Sequence, residues 1–350
     1  MSKKVSYKIA VLMGGSSHER EFSLESGQNI TNALKERGHE VLHLDTESSL
    51  VETLRTQNID AVYIALHGKG GEDGTIQALL EYLDIPYVGS TSAVCRIAWN
   101  KSSLPHALST YRRLLDARAD VNTNAPDGPA SWPKAISLAS ISFKDMGAAT
   151  ALDLVAQRLP DGYPLAVKPA RGGSAMGVTK VEKFDDLGPA IIDALSYDTA
   201  VIIEQWIKGV ELAVGVVGTG PGARVLPPVE IVPKQGFFDI EARQDTDLVD
   251  YYCPVRPASL NADPAKAAQA RELIEQAALE VHRALDCRDI SRVDLIWDGT
   301  KPQILDVSVS PGMTEHSLIP MACATAHTPF GVFIEQLLRD AMDSHARYQA

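Results

Sequence analysis

The stretch over residues 292–317, RVDLIWDGTKPQILDVSVSPGMTEHS, constrains the fold of this chain more than any other. Residues 293–297 and 303–309 are strand-like runs. Asp298, Gly299 and Pro302 lie between them and predict a hairpin with a loop of about five residues. A loop centred on Thr300 sets Asp294 opposite Asp306. Ser308, two residues on, points to the same face as Asp306. Two directly opposed carboxylates repel and destabilise a hairpin. A hard cation such as Mg²⁺, with phosphate oxygens as its other ligands, turns that repulsion into a site. The alternative is two solvated aspartates on an exposed face.

Ahead of the hairpin, the chain opens in an α/β pattern. Residues 8–13 form an apolar strand ending at Gly14-Gly15. A helical period then carries Phe22, Ile30, Ala33 and Leu34 and stops at Gly38. Strands over 41–44, 60–65 and 85–88 and a helix over 75–83 follow. Gly14-Gly15 lacks the GxGxxG spacing of a dinucleotide fold. It leaves a glycine turn at a helix start, where backbone N–H groups favour anions; Glu19 and Glu21 complement the same helix dipole equally well. His67 stands at a strand end beside the glycine-rich LHGKGGEDG, where ligands bind in α/β sheets. A lone His there is as readily structural.

From about Asn100 the pattern shifts. Residues 117–134 are rich in Pro, Asn, Asp and Gly and predict a surface loop, followed by an amphipathic helix over 148–158. Residues 163–181, YPLAVKPARGGSAMGVTKV, place Gly172, Gly173, Ser174 and Gly177 between two strands, with Lys168 closing the first. A Walker A loop needs GxxxxGK[ST] between a strand and a helix. This arrangement suits a flap whose backbone amides cover phosphates while Lys168 neutralises them, or an ordinary glycine hairpin. A strand over 201–206 leads to another with Glu211 near its start. After Pro233, KQGFFDIEARQDTDLVDYYCP mixes charges and aromatics without a period, as expected of an active-site lid. Long helices over 264–285 and 330–342 complete the chain.

At 350 residues, 45% of them hydrophobic, the chain buries a sizeable core and length alone suggests two or three domains. A net charge of −12 with no Lys/Arg run disfavours nucleic acid, so an anionic ligand requires a local basic pocket. Cys95, Cys253, Cys287 and Cys323 are scattered without CxxC spacing and read as reduced thiols of a cytoplasmic protein. Neither a signal peptide nor a membrane-spanning run is visible, so no membrane partner is expected.

In this order, GGSSHEREFSLESG, LHGKGGEDGTIQALLEYLDIPYVGS, VKPARGGSAMGVTKV, IIEQWIKGVEL, GFFDIEAR, RVDLIWD and SPGMTEHSLIPMA resemble the D-alanine–D-alanine ligases of the ATP-grasp superfamily along nearly the whole chain. The resemblance implies an α/β protein of three domains: an N-terminal Rossmann-like unit over 1–101 and two ATP-grasp subdomains over 102–204 and 205–350. It implies phosphorylation of one D-alanine by ATP, attack by the amine of a second, and D-alanyl-D-alanine for peptidoglycan precursors. By resemblance, Lys101, Lys168 and Arg243 meet ATP phosphates. Glu204, Trp206 and Ile207 hold adenine, and Glu211 the ribose. Glu19 takes the first ammonium group, Ser174 links flap, lid and Glu19, and His67 stands close to the substrates. Arg292 and the Gly312 N–H face the developing oxyanion. Ser317 and Leu318 receive the second carboxylate, and Asp294, Asp306 and Ser308 hold Mg²⁺ (or Mn²⁺). A homodimer is the implied assembly. Members usually carry Glu and Asn where Asp306 and Ser308 stand, and often Lys-Tyr where Arg243-Gln244 stands. These departures leave open a D-lactate- or D-serine-adding variant, or a weakly active ATP- and amino-acid-binding homologue.

Overall fold

The computed structural model describes residues 6–118 and 128–349. Its first sheet contains β1 (Lys8–Leu12), β2 (Glu40–Leu44), β3 (Ala61–Ile64) and β4 (Tyr87–Val88), all parallel in the order β2-β1-β3-β4. β1 from Ile9 onward and the whole of β3 are unbroken buried runs because both faces of a parallel sheet are covered. Ile9, Val11, Ala61 and Tyr63 enter one core, and Ala10, Leu12, Val62 and Ile64 the other. Helices α1 (Arg20–Glu36), α2 (Leu50–Thr56) and α3 (Thr75–Tyr82) connect the strands.

Helices α4 (Ser92–Trp99) and α5 (Leu104–Arg118) then leave this sheet, which accounts for the change of pattern near Asn100. Val94, Cys95, Leu104 and Leu108 share a core with Leu212, Val214 and Leu295 much later in the chain. The loop expected over 117–134 is therefore shorter than its composition suggests. Ala117 and Arg118 close α5, Ala130 is buried and Ser131 bridges Gln303; residues 119–127 lie outside the described residues.

The second sheet is antiparallel, in the order β5-β8-β6-β7: β5 (Ala135–Ala139), β6 (Leu165–Pro169), β7 (Thr179–Val181) and β8 (Ala200–Gln205). With α6 (Ser140–Met146), α7 (Ala148–Arg158) and α8 (Phe184–Tyr197) it encloses Leu138, Val155, Val167, Ile191 and Ile203. β6 and β7 flank the glycine-rich flap, as expected.

The third sheet comprises β9 (Val210–Val217), β10 (Arg224–Val225), β11 (Val229–Pro233), β12 (Val249–Tyr252), β13 (Ile290–Trp297) and β14 (Pro302–Ser308), in the order β12-β11-β9-β13-β14 with β10 beside β9. Its helices are α9 (Ile240–Gln244), α10 (Pro257–Leu260), α11 (Pro264–Ala284), α12 (Leu318–Thr325) and α13 (Phe330–Gln349). Asp263 caps α11 and Pro264 opens it, where a missing N–H does no harm. Ile334, Leu337 and Leu338 of α13 return to pack beside Ile9 and Ile30, so the first and third sheets share a core.

The segment expected as an irregular lid contains α9 and β12. A helix of five residues offers no period to read. It is held by its Asp239 cap, which accepts from Ala242 N at 2.9 Å, and by the buried cluster Phe238, Ala242 and Val249. The expected hairpin is present with one local difference. The turn between paired Trp297 and Pro302 has four residues, and a bulge at Leu305 absorbs the offset, so Asp294 still pairs with Asp306. No described helix is long and apolar enough to cross a membrane.

Candidate active site

The three sheets converge on one cavity of about 830 Å³, within the range of small-molecule sites. Every site residue expected from the sequence lines it: Glu19, His67, Lys101, Lys168, Ser174, Glu204, Trp206, Ile207, Glu211, Arg243, Arg292, Asp294, Asp306, Ser308, Gly312, Ser317 and Leu318.

Glu19 is the N-cap residue of α1 and reaches the flap, where Ser174 Oγ donates to its Oε1. Gly173 approaches so closely that a Cβ would meet that carboxylate at 3.1 Å. Glu19 Oε2 is buried and has no partner among the described residues, which leaves an acceptor for a cationic group. His67 sits between Glu72 (Nδ1···Oε1 3.4 Å) and Ser26 (Nε2···Oγ 3.3 Å), and the Phe22 ring packs against it at 4.8 Å. Burial raises the Glu72 carboxyl, the His67 bond lowers it and Glu19 adds to the rise. Glu72 and Phe22 were missed in the sequence. The only signal was Glu72 standing five residues after His67 in one glycine-rich loop.

Lys168 and Glu204 lie on neighbouring strands β6 and β8 and form a buried pair at 2.7 Å. Lys168 also donates at 3.2 Å to the carbonyl of Leu305, the residue that the bulge leaves without a partner on β13. Beside them, Lys180 lies 5.2 Å from the centroid of the Trp206 ring and Phe237 meets that ring edge-on. Arg243 stacks over Phe238 at 4.2 Å, which ties α9 to the site.

The opposed aspartates are already neutralised. Arg292 and Asp294 share one face of β13, so the guanidinium fork grips both carboxylate oxygens at 2.7 and 2.8 Å. Burial opposes the Arg292 charge, but Asp294 outweighs it and keeps the group protonated. Lys101 Nζ lies 3.3 Å from Asp306 Oδ2 and also donates to Gly172 O in the flap. Repulsion across the hairpin is thus relieved by two cations, which the sequence reading did not include. Among the described residues no group of three or more His, Cys, Asp or Glu forms a ready-made metal cage. Two carboxylates and a serine facing a phosphate-sized cavity nevertheless suit Mg²⁺, which takes one or two carboxylates together with substrate phosphates.

Burial pushes Glu211 up to about 7, with Arg243 opposing and Asp294 adding to the rise. A folded carboxyl that holds its proton to higher pH than the unfolded one lowers stability as pH climbs between those values. The parent should therefore lose melting temperature relative to Glu211→Gln between pH of about 4.5 and 7 and level off above. Parallel melting curves across that window would show Glu211 to be solvated.

At the far end, Ser317 Oγ accepts from Thr314 N at 3.0 Å and lies 2.8 Å from Thr314 Oγ1. Gly312 lies against the Phe22 ring, leaving no room for a side chain.

The family model for the D-ala D-ala ligase C-terminus matches residues 144–339, and that for the D-ala D-ala ligase N-terminus matches residues 43–90. A D-alanine--D-alanine ligase of Bordetella avium is 36% identical over 335 residues, 95% of this chain and 94% of that one. The D-alanine--D-alanine ligase of Bacillus anthracis complexed with ATP aligns at a TM-score of 0.74 and 26% identity, over 98% of this chain and 100% of its own. VanG D-Ala:D-Ser ligase from Enterococcus faecalis reaches 0.75 at 26% identity, over 96% and 100%. The fold is accordingly ATP-grasp, and likeness over nearly the full length at 36% identity carries the conclusion: the chain belongs to the D-alanine–D-alanine ligase family.

Proposed function

We propose that the residues around the cavity divide the ligation of two D-alanines among them as follows. Glu19, with its unpartnered Oε2, takes the ammonium group of the first D-alanine in a charge-assisted contact. Lys101 and Lys168 exchange Asp306 and Glu204 for phosphate oxygens of ATP, and Arg243 meets the terminal phosphate. Trp206, Ile207 and Glu204 hold the adenine, and Glu211 the ribose. The carboxylate of the first D-alanine attacks the terminal phosphate and ADP leaves; the amine of the second then attacks the acyl carbon, the bond from that carbon to the phosphate oxygen breaks, and inorganic phosphate and a proton depart from D-alanyl-D-alanine. Arg292 and the Gly312 N–H receive the negative charge that develops on the reacting carbonyl oxygen, where preorganised donors act most strongly. Ser317 and Leu318 hold the second carboxylate. Asp294, Asp306 and Ser308 would hold Mg²⁺, which supplies charge neutralisation along the phosphates when bound.

The observation that carries this reading is the enclosure of Glu19, Lys101, Lys168 and Arg292, drawn from all parts of the chain, by one cavity. Each sheet falls within one of the proposed units 1–101, 102–204 and 205–350, save Gln205 at the end of β8. Four free cysteines support a cytoplasmic setting, and a homodimer completes the proposal, to be checked by sedimentation. The deciding experiment measures phosphate release from ATP and Mg²⁺ with D-alanine, with L-alanine, or with D-alanine plus D-lactate, and identifies products by mass. D-Alanyl-D-alanine is expected to dominate; a depsipeptide or an L,L-dipeptide as main product would replace this reading.

Residues 237–250 should close over bound nucleotide, shielding the acyl phosphate from water. Phe237 already touches Trp206, so closure needs only a tightening of existing contacts. Hydrogen exchange in this segment is expected to slow when an ATP analogue and D-alanine are added together. Equal exchange in both states would rule out the lid.

A further inference from the structure

The Gly14-Gly15 turn follows β1 and leads toward α1, and both glycines have left-handed backbones, with φ of +93° and +80°. The amide of Gly15 does bind an anion, but the anion belongs to the chain itself. Asp45, just past β2, accepts from Gly15 N through Oδ1 at 2.7 Å. On the other side, Arg20 Nη1 donates to Gly15 O at 2.7 Å and lies 2.7 Å from Asp45 Oδ2. The N–H and the C=O of Gly15 are thus held by two side chains that are paired with each other. A side chain at position 14 would run into that pair. Partial burial works against the Asp45 charge, but the Gly15 amide and Arg20 outweigh it and hold the carboxyl below its usual range.

The pair closes a ring of chain around Glu19. Arg20, the first residue of α1, reaches back five residues to Gly15, so the loop between them is tied at both ends. Its middle is fixed as well, since Ser17 Oγ donates to His67 O at 2.7 Å and accepts from Glu19 N at 3.2 Å. Glu19 stands inside this ring, next to Arg20 in the chain. An ion pair whose arginine side chain is 45% exposed contributes little to global stability. Its effect on a neighbouring carboxylate is another matter, because a charge-assisted hydrogen bond depends steeply on distance and direction.

We propose that Arg20 and Asp45 are positioning residues for Glu19, clamping Gly15 so that the Glu19 carboxylate is aimed at the ammonium group of the first D-alanine. The role rests on the reading of Glu19 as the partner of that group. One nitrogen carries both Arg20 contacts, so the two-pronged guanidinium is not required here and a lysine ammonium supplies the same donors.

The test titrates D-alanine at saturating ATP and Mg²⁺, which gives one constant for each D-alanine site; the constant that Glu19→Gln raises belongs to the first. Asp45→Ala and Arg20→Met are expected to raise that same constant about fivefold, the scale of one misplaced hydrogen bond. KM for ATP, kcat and the melting temperature should stay near those of the parent. Arg20→Lys should bring the first-site constant back to within about twofold of the parent. An unchanged first-site constant in Asp45→Ala, an equal rise in KM for ATP, or a lysine no better than methionine overturns the clamp. Both D-alanine constants unaltered in Glu19→Gln would instead remove the Glu19 reading, and the clamp with it.

Discussion

Arg292→Ala is expected to cut D-alanine-dependent turnover by at least about a hundredfold, the usual scale for removing an oxyanion donor. ATP binding should persist, because Lys101 and Lys168 remain. The structure adds a complication, since Arg292 is also the partner of Asp294. Truncation leaves a partly buried carboxylate without its guanidinium, so some loss of thermal stability accompanies the loss of rate. Arg292→Lys separates the two effects: it restores a positive charge near Asp294 but not the two-pronged donor geometry. Lysine should recover most of the melting temperature and little of the turnover. Near-normal phosphate release by Arg292→Ala, measured with D-alanine, ATP and Mg²⁺, would remove the residue from the chemistry.

The second large effect concerns the hairpin. Asp294→Ala should nearly abolish turnover at any practical Mg²⁺ concentration, since it removes one of two opposed carboxylates and frees Arg292 to pair elsewhere. Ser308→Asn should act in the opposite sense and more mildly. An amide oxygen is a better ligand for a hard cation than a neutral hydroxyl, so half-maximal turnover should be reached at lower Mg²⁺. Both are read from turnover against free Mg²⁺. Full activity of Asp294→Ala at the parent's Mg²⁺ requirement would return the aspartates to a purely electrostatic role beside Arg292 and Lys101.

Much of the site was legible because its pieces obey local rules. Strand alternation put Asp306 and Ser308 on one face, an expected turn centred on Thr300 set Asp294 opposite them (a pairing the fold reaches through a shorter turn and a bulge), and glycines between two strands marked the flap. What local rules do not carry is pairing between distant segments. Lys101 meets Asp306, and Ser174 meets Glu19, across long stretches of chain. Periodicity places a side chain on a face but says nothing of which partner arrives there. Resemblance gathered those residues into one site, yet the exchange of partners within it, Arg292 with Asp294 and Lys168 with Glu204, became visible only in the folded geometry. Elements were lost for a related reason. Helices α4 and α5 serve the core of a sheet formed later in the chain, so their neighbours in sequence did not reveal them. α9 is too short to display a period, and β12 needs β11 beside it to be a strand.

The Leu305 bulge bears on how the hairpin can change its turn without losing the carboxylate pair. A five-residue turn without a bulge and the four-residue turn with one both bring Asp294 opposite Asp306. Turn length is therefore free to drift by one residue without disturbing the carboxylate pair, provided the ladder gains or loses its irregularity in step. The two solutions differ elsewhere. In the regular ladder Leu305 would face Leu295, whereas here it has no partner on β13 and its carbonyl accepts from Lys168 on the second sheet. The hairpin is thereby joined to β6, the strand that opens the flap, through the very residue that the bulge sets apart.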